Sequence, residues 1–399
     1  MAVRKRTWTG PKGEPKSAWV VDYADQTGRR RQKTFHRKKD ADAFHARAVT
    51  EIGDGVHVAD RATITVAEAG EAWLTSAVNA GLERSTTAQY GQHVHLHIVP
   101  FLGHRRLTEL AVPLVRAWQD QLREAGRSET MVRRATTSLG ALVSDAQDRG
   151  LVTRNVVAEM SRRRSRGRSE ARHRERLVVG RDIPTRDEVR AIINAAEGRW
   201  RPLLIVALMA GLRASELRGL RWDDVDLSER RVYVRQRADR YNAIGPPKSA
   251  AGRRTVPLPP MAVNVLREWR LACPPGSLGL VFPNGRGNVE SLGNITRRGL
   301  WATQVTAGVV IETGKQDEGG GLISCAKYRG MHCARHWHAS WLINRRADGG
   351  LELPVKTVQE RLGHSSIAMT MDRYGHLFPA ADEHDALEQA ERALLGSAT

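Results

Sequence analysis

The spacing of apolar residues changes character three times along the chain. In residues 1–60, Ser17-Ala-Trp-Val-Val-Asp-Tyr23 and Arg30-Arg-Gln-Lys-Thr-Phe35 have the β-branched and aromatic content of two strands. Gln26-Thr-Gly28-Arg29 between them predicts a turn, and Lys38 to Arg47 predicts a helix. Residues 64–160 carry helical periodicity throughout. Thr65-Val-Ala-Glu68 is a capping-box pattern, in which hydroxyl and carboxylate satisfy free amide donors, and Trp73, Leu74 and Ala77 follow on one face. A second helix is expected near Ser85 and a third over Val112, Val115, Trp118 and Leu122. A fourth is expected over Val132, Ala135, Leu139, Leu142, Val143 and Ala146. These stripes read as core.

From residue 182 the pattern changes again. Thr185-Arg-Asp-Glu188 is a second capping box, and Val189, Ile192, Ile193 and Ala196 fall at i, i+3, i+4 and i+7. Leu203 to Ala210 is almost wholly apolar, which predicts a buried helix. Arg231–Arg235 and Arg254–Leu258 read as strands joined by the loop Gly245-Pro-Pro-Lys248-Ser-Ala-Ala-Gly252. Residues 312–330 are rich in glycine and polar groups and read as a surface loop, and helices return from Met331. In residues 381–399, Ala386, Leu387, Ala390 and Leu394 form one apolar stripe. The chain is therefore expected to be multidomain: a small α+β module at 1–60, an all-α domain at 64–160, a linker at 161–181, a mainly α domain with a small antiparallel sheet at 182–380, and a terminal helix.

Charge narrows the partner. The 399 residues hold 63 Lys and Arg against 44 Asp and Glu, a net of +19. This bias favours a polyanion. No apolar run approaches the length of a bilayer crossing and no secretory leader is visible, so nucleic acid is favoured over membrane. Two segments concentrate the charge. The first 40 residues carry a net of +8, with Arg29, Arg30, Arg31 and Lys33 beside aromatic residues. The stretch from Arg162 to Arg181 carries a net of +7, including Arg162, Arg163, Arg164 and Arg166, without apolar periodicity. Laid along a duplex, it would add to counterion release. Cys273, Cys325 and Cys333 have neither metal nor disulfide spacing, which suits a reducing cytosol.

The candidate chemistry lies in the last domain. Arg213 follows Gly211 and the buried helix, with Glu216 three residues on to orient a guanidinium that can fork onto two phosphate oxygens. His332 and Arg335 share one helical face. His336 stands four residues after His332, but Cys333 occupies the place where a helical zinc-protease motif needs glutamate, so no metal is expected. His364 follows a Leu-Gly turn, and Tyr374 precedes Gly375 near a helix end. A phenol ionises near pH 10, so a tyrosine nucleophile needs a base or nearby positive charge. Arginines that hold phosphate, histidines that position protons and a tyrosine that can attack phosphorus together suit phosphodiester cleavage without metal.

The ordered set Gly-Leu-Arg213-Ala-Ser-Glu-Leu, His332-x-x-Arg335, Leu-Gly-His364 and Tyr374 closely resembles the tyrosine recombinases, or phage integrase family. Val358-Gln-Glu-Arg-Leu-Gly-His-Ser-Ser-Ile-Ala-Met-Thr-Met-Asp-Arg-Tyr374-Gly-His-Leu-Phe-Pro379 is similar to its C-terminal signature. The resemblance implies that 1–60 is an arm-type DNA-binding module, 64–160 a core-binding domain and 182–380 the catalytic domain. It implies Tyr374 as nucleophile, Arg213 and Arg335 as the phosphate clamp, His332 in proton transfer, and His364 as a phosphate hydrogen-bond donor. It also implies a lysine on an inter-strand loop as general acid, and Lys248 alone occupies such a place. The implied reaction is site-specific recombination through a 3′-phosphotyrosyl intermediate, for integration or excision of a phage or mobile element, without cofactor. The implied partners are double-stranded attachment sites, three further copies of the chain in a tetramer on DNA, and an accessory directionality factor; the implied location is cytoplasmic, at the nucleoid. One departure is that Cys333-Ala334 stand where the family usually has Asp-Leu. Two other readings share the residues: strand relaxation of the type IB topoisomerase kind, and a DNA-binding protein with a relic site. The terminal stripe at 381–399 packs either on its own chain or, by the resemblance, on the next protomer.

Overall fold

The structure is a computed structural model, and it describes residues 2–9, 11, 14–24, 28–53, 63–160, 176–316, 322–379 and 383–395. The chain divides into two compact units, 1–172 and 173–399.

The first unit begins with an antiparallel sheet of β1 (Ala2–Thr9), β2 (Pro15–Ala24) and β3 (Arg30–Phe35), with β2 in the centre. Helix α1 (Lys38–Gly53) follows. Alternation along β2 sends Trp19, Val21 and Tyr23 toward Ala41, Phe44 and Ala48 of α1. β1 is an exposed edge strand with three basic residues among its eight and no apolar alternation, so the sequence carries no strand signal there. Gln26 and Thr27 of the expected turn lie outside the described residues, and so do Arg162, Arg163, Arg164 and Arg166.

The expected helices follow as α2 (Val66–Asn79), α3 (Arg84–His93), α4 (Val112–Glu124) and α5 (Glu129–Asp148). The Thr65 hydroxyl accepts from the Glu68 amide at 3.2 Å, and the Glu68 carboxylate accepts from the Thr65 amide at 2.8 Å. A π-helical turn at Val94–Ile98 continues α3 just ahead of Pro100, which has no amide hydrogen to donate. Within it the His97 carbonyl accepts from buried Trp118 Nε1 at 2.8 Å. The core is formed by Trp73, Val94, Trp118, Leu122, Leu139 and Leu142.

The second unit is built on α6 (Arg186–Ala195), α7 (Trp200–Ala210) and the short α8 (Ala214–Gly219). Apolar on all sides, α7 is buried, with later helices packed around it. A small antiparallel sheet follows, ordered β4 (Val225–Asp226), β5 (Arg231–Val234), β8 (Arg254–Pro257), with the two-residue strands β6 (Arg237–Ala238) and β7 (Ile244–Gly245) paired between β5 and β8. Helix α9 (Pro260–Ala272) packs on α7. Strands β9 (Val310–Gln316) and β10 (Leu322–Ala326) pair antiparallel, so 312–316 and 322–326 of the expected surface loop over 312–330 are strand. Its apolar flanks, Val310-Ile311 and Leu322-Ile323, are outweighed in the sequence by the glycines between them. Helices α10 (His332–Ile343), α11 (Val355–Leu362), α12 (Ile367–Tyr374) and α13 (Glu383–Leu395) complete the unit. The Thr185 capping box forms, and the Glu188 carboxylate also accepts from Lys327 Nζ at 2.6 Å and from the Tyr328 hydroxyl at 2.7 Å, which ties the start of α6 to the residues after β10. Among the described residues no helix is long and apolar enough to cross a membrane.

Candidate active site

The site is assembled at the C-terminal end of α7 against α10, α11 and α12. At Gly211 the backbone turns left-handed (φ +60), and a Cβ there would stand 2.4 Å from the buried His338 ring. Glycine is thus required on both conformational and steric grounds. The turn delivers Arg213 to the start of α8, where Glu216 accepts the Arg213 amide at 2.8 Å and its Nη1 at 2.7 Å. Arg213 Nη2 donates to the Gly363 carbonyl at 2.9 Å. Glu216 is buried and also takes two bonds from Arg254, at 3.0 and 2.8 Å. Burial raises the Glu216 pKa, but Arg254 and Arg213 outweigh it and hold the carboxyl at about 2.

Arg335 is buried on α10, one helical turn after His332. It donates to the Gly211 carbonyl at 2.7 Å and to the Leu362 carbonyl. Burial foremost, then repulsion from Arg213 and Arg254, lowers its pKa to about 9, so it stays charged at neutral pH. Arg213, Arg254 and Arg335 thus gather around the single carboxylate of Glu216, an excess of positive charge suited to an incoming anion.

The Gly363 turn is left-handed too (φ +63) and lies against the 246–253 loop, where a Cβ would stand 2.8 Å from the Ala251 carbonyl. That loop carries Lys248, whose side chain is exposed. His364 is buried, with Nδ1 2.9 Å from the Thr370 hydroxyl, and burial followed by the nearby arginines lowers its pKa to about 4. Its ring lies nearly parallel to that of Tyr374, 5° apart with centroids 6.3 Å apart. Tyr374 ends α12 and is only 2% exposed. Burial raises its pKa, opposed by Arg335, Arg373 and Arg213. His332 keeps accessible surface, yet surrounding protein, then Arg335, Arg373 and Arg213, lower its pKa. The structure therefore gathers Arg213, His332, Arg335, His364 and Tyr374 in one region of one unit.

Three contributors were not among the expected residues. Arg254 opens β8, and nothing in its local pattern separates it from the other basic residues of that sheet. Arg373 directly precedes Tyr374, and adjacency alone assigns it no role. In the sequence His336 stands out only as a metal-ligand candidate beside His332, whereas its Nδ1 lies 2.8 Å from Tyr374 Oη.

Residues 184–380 match the phage integrase family. The chain is 30% identical over 270 residues to a tyrosine recombinase XerC from Mycobacterium sp. strain KMS, covering 66% of this chain and 78% of the relative. The chain belongs to the phage integrase family of tyrosine recombinases. It is also 24% identical over 389 residues to a tyrosine recombinase XerC-like protein of Caldanaerobacter subterraneus subsp. tengcongensis, covering 89% of this chain and 90% of the relative. Among solved structures, the Tn1549 transposon integrase in complex with a circular intermediate DNA shares the fold, with TM-score 0.61 and 19% identity over 83% of this chain and all of that one. A lambda integrase tetramer bound to a Holliday junction matches with TM-score 0.53 and 17% identity over 90% of this chain and 95% of that one. As a tyrosine recombinase of this family, the chain is a site-specific enzyme of DNA strand cleavage and rejoining.

The basic N-terminal sheet has two unlike faces. Register places Arg4 and Arg6 of β1 beside Val20 and Ala18, on the face away from α1, together with Arg30, Gln32 and Thr34 of β3. Arg31 and Lys33 alternate to the α1 side, where Lys33 Nζ lies 4.5 Å from the Phe44 ring centroid. Of the basic residues expected here, Arg29 and Arg30 are exposed, Arg31 and Lys33 are half-buried, and Lys33 caps the small aromatic core; Arg4 and Arg6 lie outside the expected set.

Proposed function

We propose that Tyr374 attacks the scissile phosphorus, forming a 3′-phosphotyrosyl bond and releasing a 5′-hydroxyl, and that the hydroxyl of a partner duplex reverses the step to complete recombination. The observation that carries this reading is the burial of Tyr374 within reach of the Arg335, Arg373 and Arg213 charges on its own chain. Arg213, braced by Glu216, and Arg335, fixed by two carbonyls, clamp the non-bridging oxygens as their charge grows. His364, placed over the tyrosine ring, hydrogen-bonds the phosphate, and His332 at the accessible start of α10 assists proton transfer. Lys248 protonates the departing 5′-oxygen; its support is an exposed position on a loop packed against Gly363, with a lysine's long stem to reach the leaving oxygen. The covalent bond conserves the energy of the broken linkage, so the cycle needs neither ATP nor metal.

The open face of the N-terminal sheet, with Arg4, Arg6 and Arg30, is the arm-binding surface, and the helical domain with the 161–181 segment holds the core site. A homotetramer on attachment sites fits α13, whose Leu387 and Leu394 are exposed and would be covered by a neighbouring protomer. Integration or excision of a mobile element, with a directionality factor, is the biological setting this reading favours. A nicked suicide substrate tests the core of it: the full-length chain should become covalently trapped, and Tyr374→Phe should bind the same DNA without trapping. An adduct formed by Tyr374→Phe contradicts the assignment.

A further inference from the structure

A phenol that is 2% exposed has no bulk water to receive its proton. Its oxygen needs an acceptor within hydrogen-bond reach, and the geometry singles one out. His336 Nδ1 lies 2.8 Å from Tyr374 Oη, within hydrogen-bond range, and both residues are buried. The competing histidines are disposed differently. His364 lies parallel to the tyrosine ring and engages Thr370 through Nδ1. His332 sits 6.0 Å from His336, ring centre to ring centre, at the accessible end of α10.

The protonation states suit an acceptor. Burial foremost, then Arg373 on α12 and His332 and Arg335 on α10, keeps His336 neutral at pH 7, with a pKa of about 4. Asp182, just before α6, faces it and favours its charged form. The Asp182 carboxylate is itself held by the Val178 amide and by Arg181 Nε, both at 3.0 Å. The phenol is the protonated partner, because burial raises its pKa. A phosphodiester bound between Arg213 and Arg335 would offset the positive charge that opposes protonation of His336, so the imidazole becomes a stronger base when substrate arrives.

We propose that His336 is the general base of strand cleavage, taking the Tyr374 proton on Nδ1 as Oη closes on phosphorus. This rests on Tyr374 being the nucleophile. In the forward step the Oη–H bond breaks and Nδ1–H forms. The Oη–P bond forms as P–O5′ breaks, and O5′ leaves with the electron pair and is protonated by Lys248. In rejoining, O5′ gives its proton to the Lys248 amine and attacks phosphorus, and Oη departs and recovers its proton from His336. Asp182 stabilises the imidazolium between the two steps.

His336→Asn is the discriminating variant, since an amide oxygen can accept the same hydrogen bond but cannot carry the proton away. With full-length protein saturating a nicked suicide substrate, the variant should bind DNA as wild type does and form adduct about 100-fold more slowly at pH 7. Its rate should climb with pH toward the phenol pKa near 10, while the wild-type rate stays flat from pH 6.5 to 8.5 (~ two units around neutrality). Placing 3,5-difluorotyrosine at position 374, which acidifies the phenol, should restore much of the variant's rate and change the unsubstituted chain little. A variant that cleaves as fast as wild type, or faster, overturns the proposal, as does a slow variant that neither pH nor difluorotyrosine rescues. The wild-type profile tests the idea without any folding risk: a rate rising about tenfold per pH unit through neutrality, as for unassisted ionisation, overturns it. Loss of Tyr374 as the adduct site is a different failure, seen in Tyr374→Phe alone, and removes the parent reading as well.

Discussion

Removing the charge of Glu216 is the sharpest perturbation the site offers. In Glu216→Gln the shape is nearly kept, but the carboxylate shared by Arg213 and Arg254 becomes neutral, with Arg335 close by. Holding the carboxyl at about 2 rather than its ordinary 4.5 corresponds to about 3 kcal/mol in favour of the charged form, at about 1.36 kcal/mol per pH unit. Breaking a buried ion pair typically costs about 3–5 kcal/mol, in the same range. For a unit of this size, about 3 kcal/mol lowers Tm by roughly 6–12 °C. The pH dependence has a definite sign. Folding depresses this carboxyl, so its contribution is complete above about pH 4.5 and drains away as pH falls toward 2. The Tm gap between wild type and variant should therefore be widest near neutrality and shrink below pH 4.5. Thermal melts across that range read the gap directly. Adduct formation should fall as well, by at least about tenfold, because Arg213 loses the brace that aims it. A variant melting within about 2 °C of wild type at pH 7, or a gap that does not close on acidification, would refute the reasoning.

Other expectations follow from the same region and from the N-terminal sheet. Gly211→Ala meets a left-handed backbone costing about 1–2 kcal/mol and a clash with His338, so Tm should fall and adduct formation slow; an unchanged melt contradicts the packing at that turn. Lys248→Ala should cleave an ordinary phosphodiester slowly but recover on a 5′-bridging phosphorothiolate, whose leaving group needs no proton; absence of rescue makes the lysine structural. Arg4→Ala with Arg6→Ala should weaken arm-site binding and flatten the log–log salt dependence by roughly 0.9 for each phosphate that is no longer neutralised. Lys33→Ala should instead loosen the N-terminal module, because its ammonium packs over Phe44; a DNA effect larger than that of the Arg4 and Arg6 pair would reverse the assignment of faces.

Much of the scaffold was legible because local signals and tertiary structure agree. The Thr65 and Thr185 capping boxes, the stripe of α6 and the continuous apolar run of α7 each mark an element through chemistry confined to a few neighbours. The pairing of Arg213 with Glu216 was legible for the same reason, since three residues bring them together at a helix start. What escaped depends on distant partners. Strand β1 exists because β2 lends it a ladder, and its own exposed basic residues carry no periodic signal. Strand β10 was hidden by the glycine-rich segment before it. The inward turn of Lys33 follows from the parity of β3 against α1, which the count of basic residues obscured. Arg254 joins Glu216 across 38 positions, and His336 meets Tyr374 across another 38. Neither separation leaves a trace in local spacing.

The central claim is that one phenol oxygen forms the bond to DNA. Trapping the wild-type chain on a nicked attachment-site duplex, digesting with protease and locating the nucleotide by mass spectrometry tests it directly. The account predicts a 3′-phosphate on the peptide that carries Tyr374, and none elsewhere. A nucleotide on any other residue, or attachment through a 5′-phosphate, would contradict it.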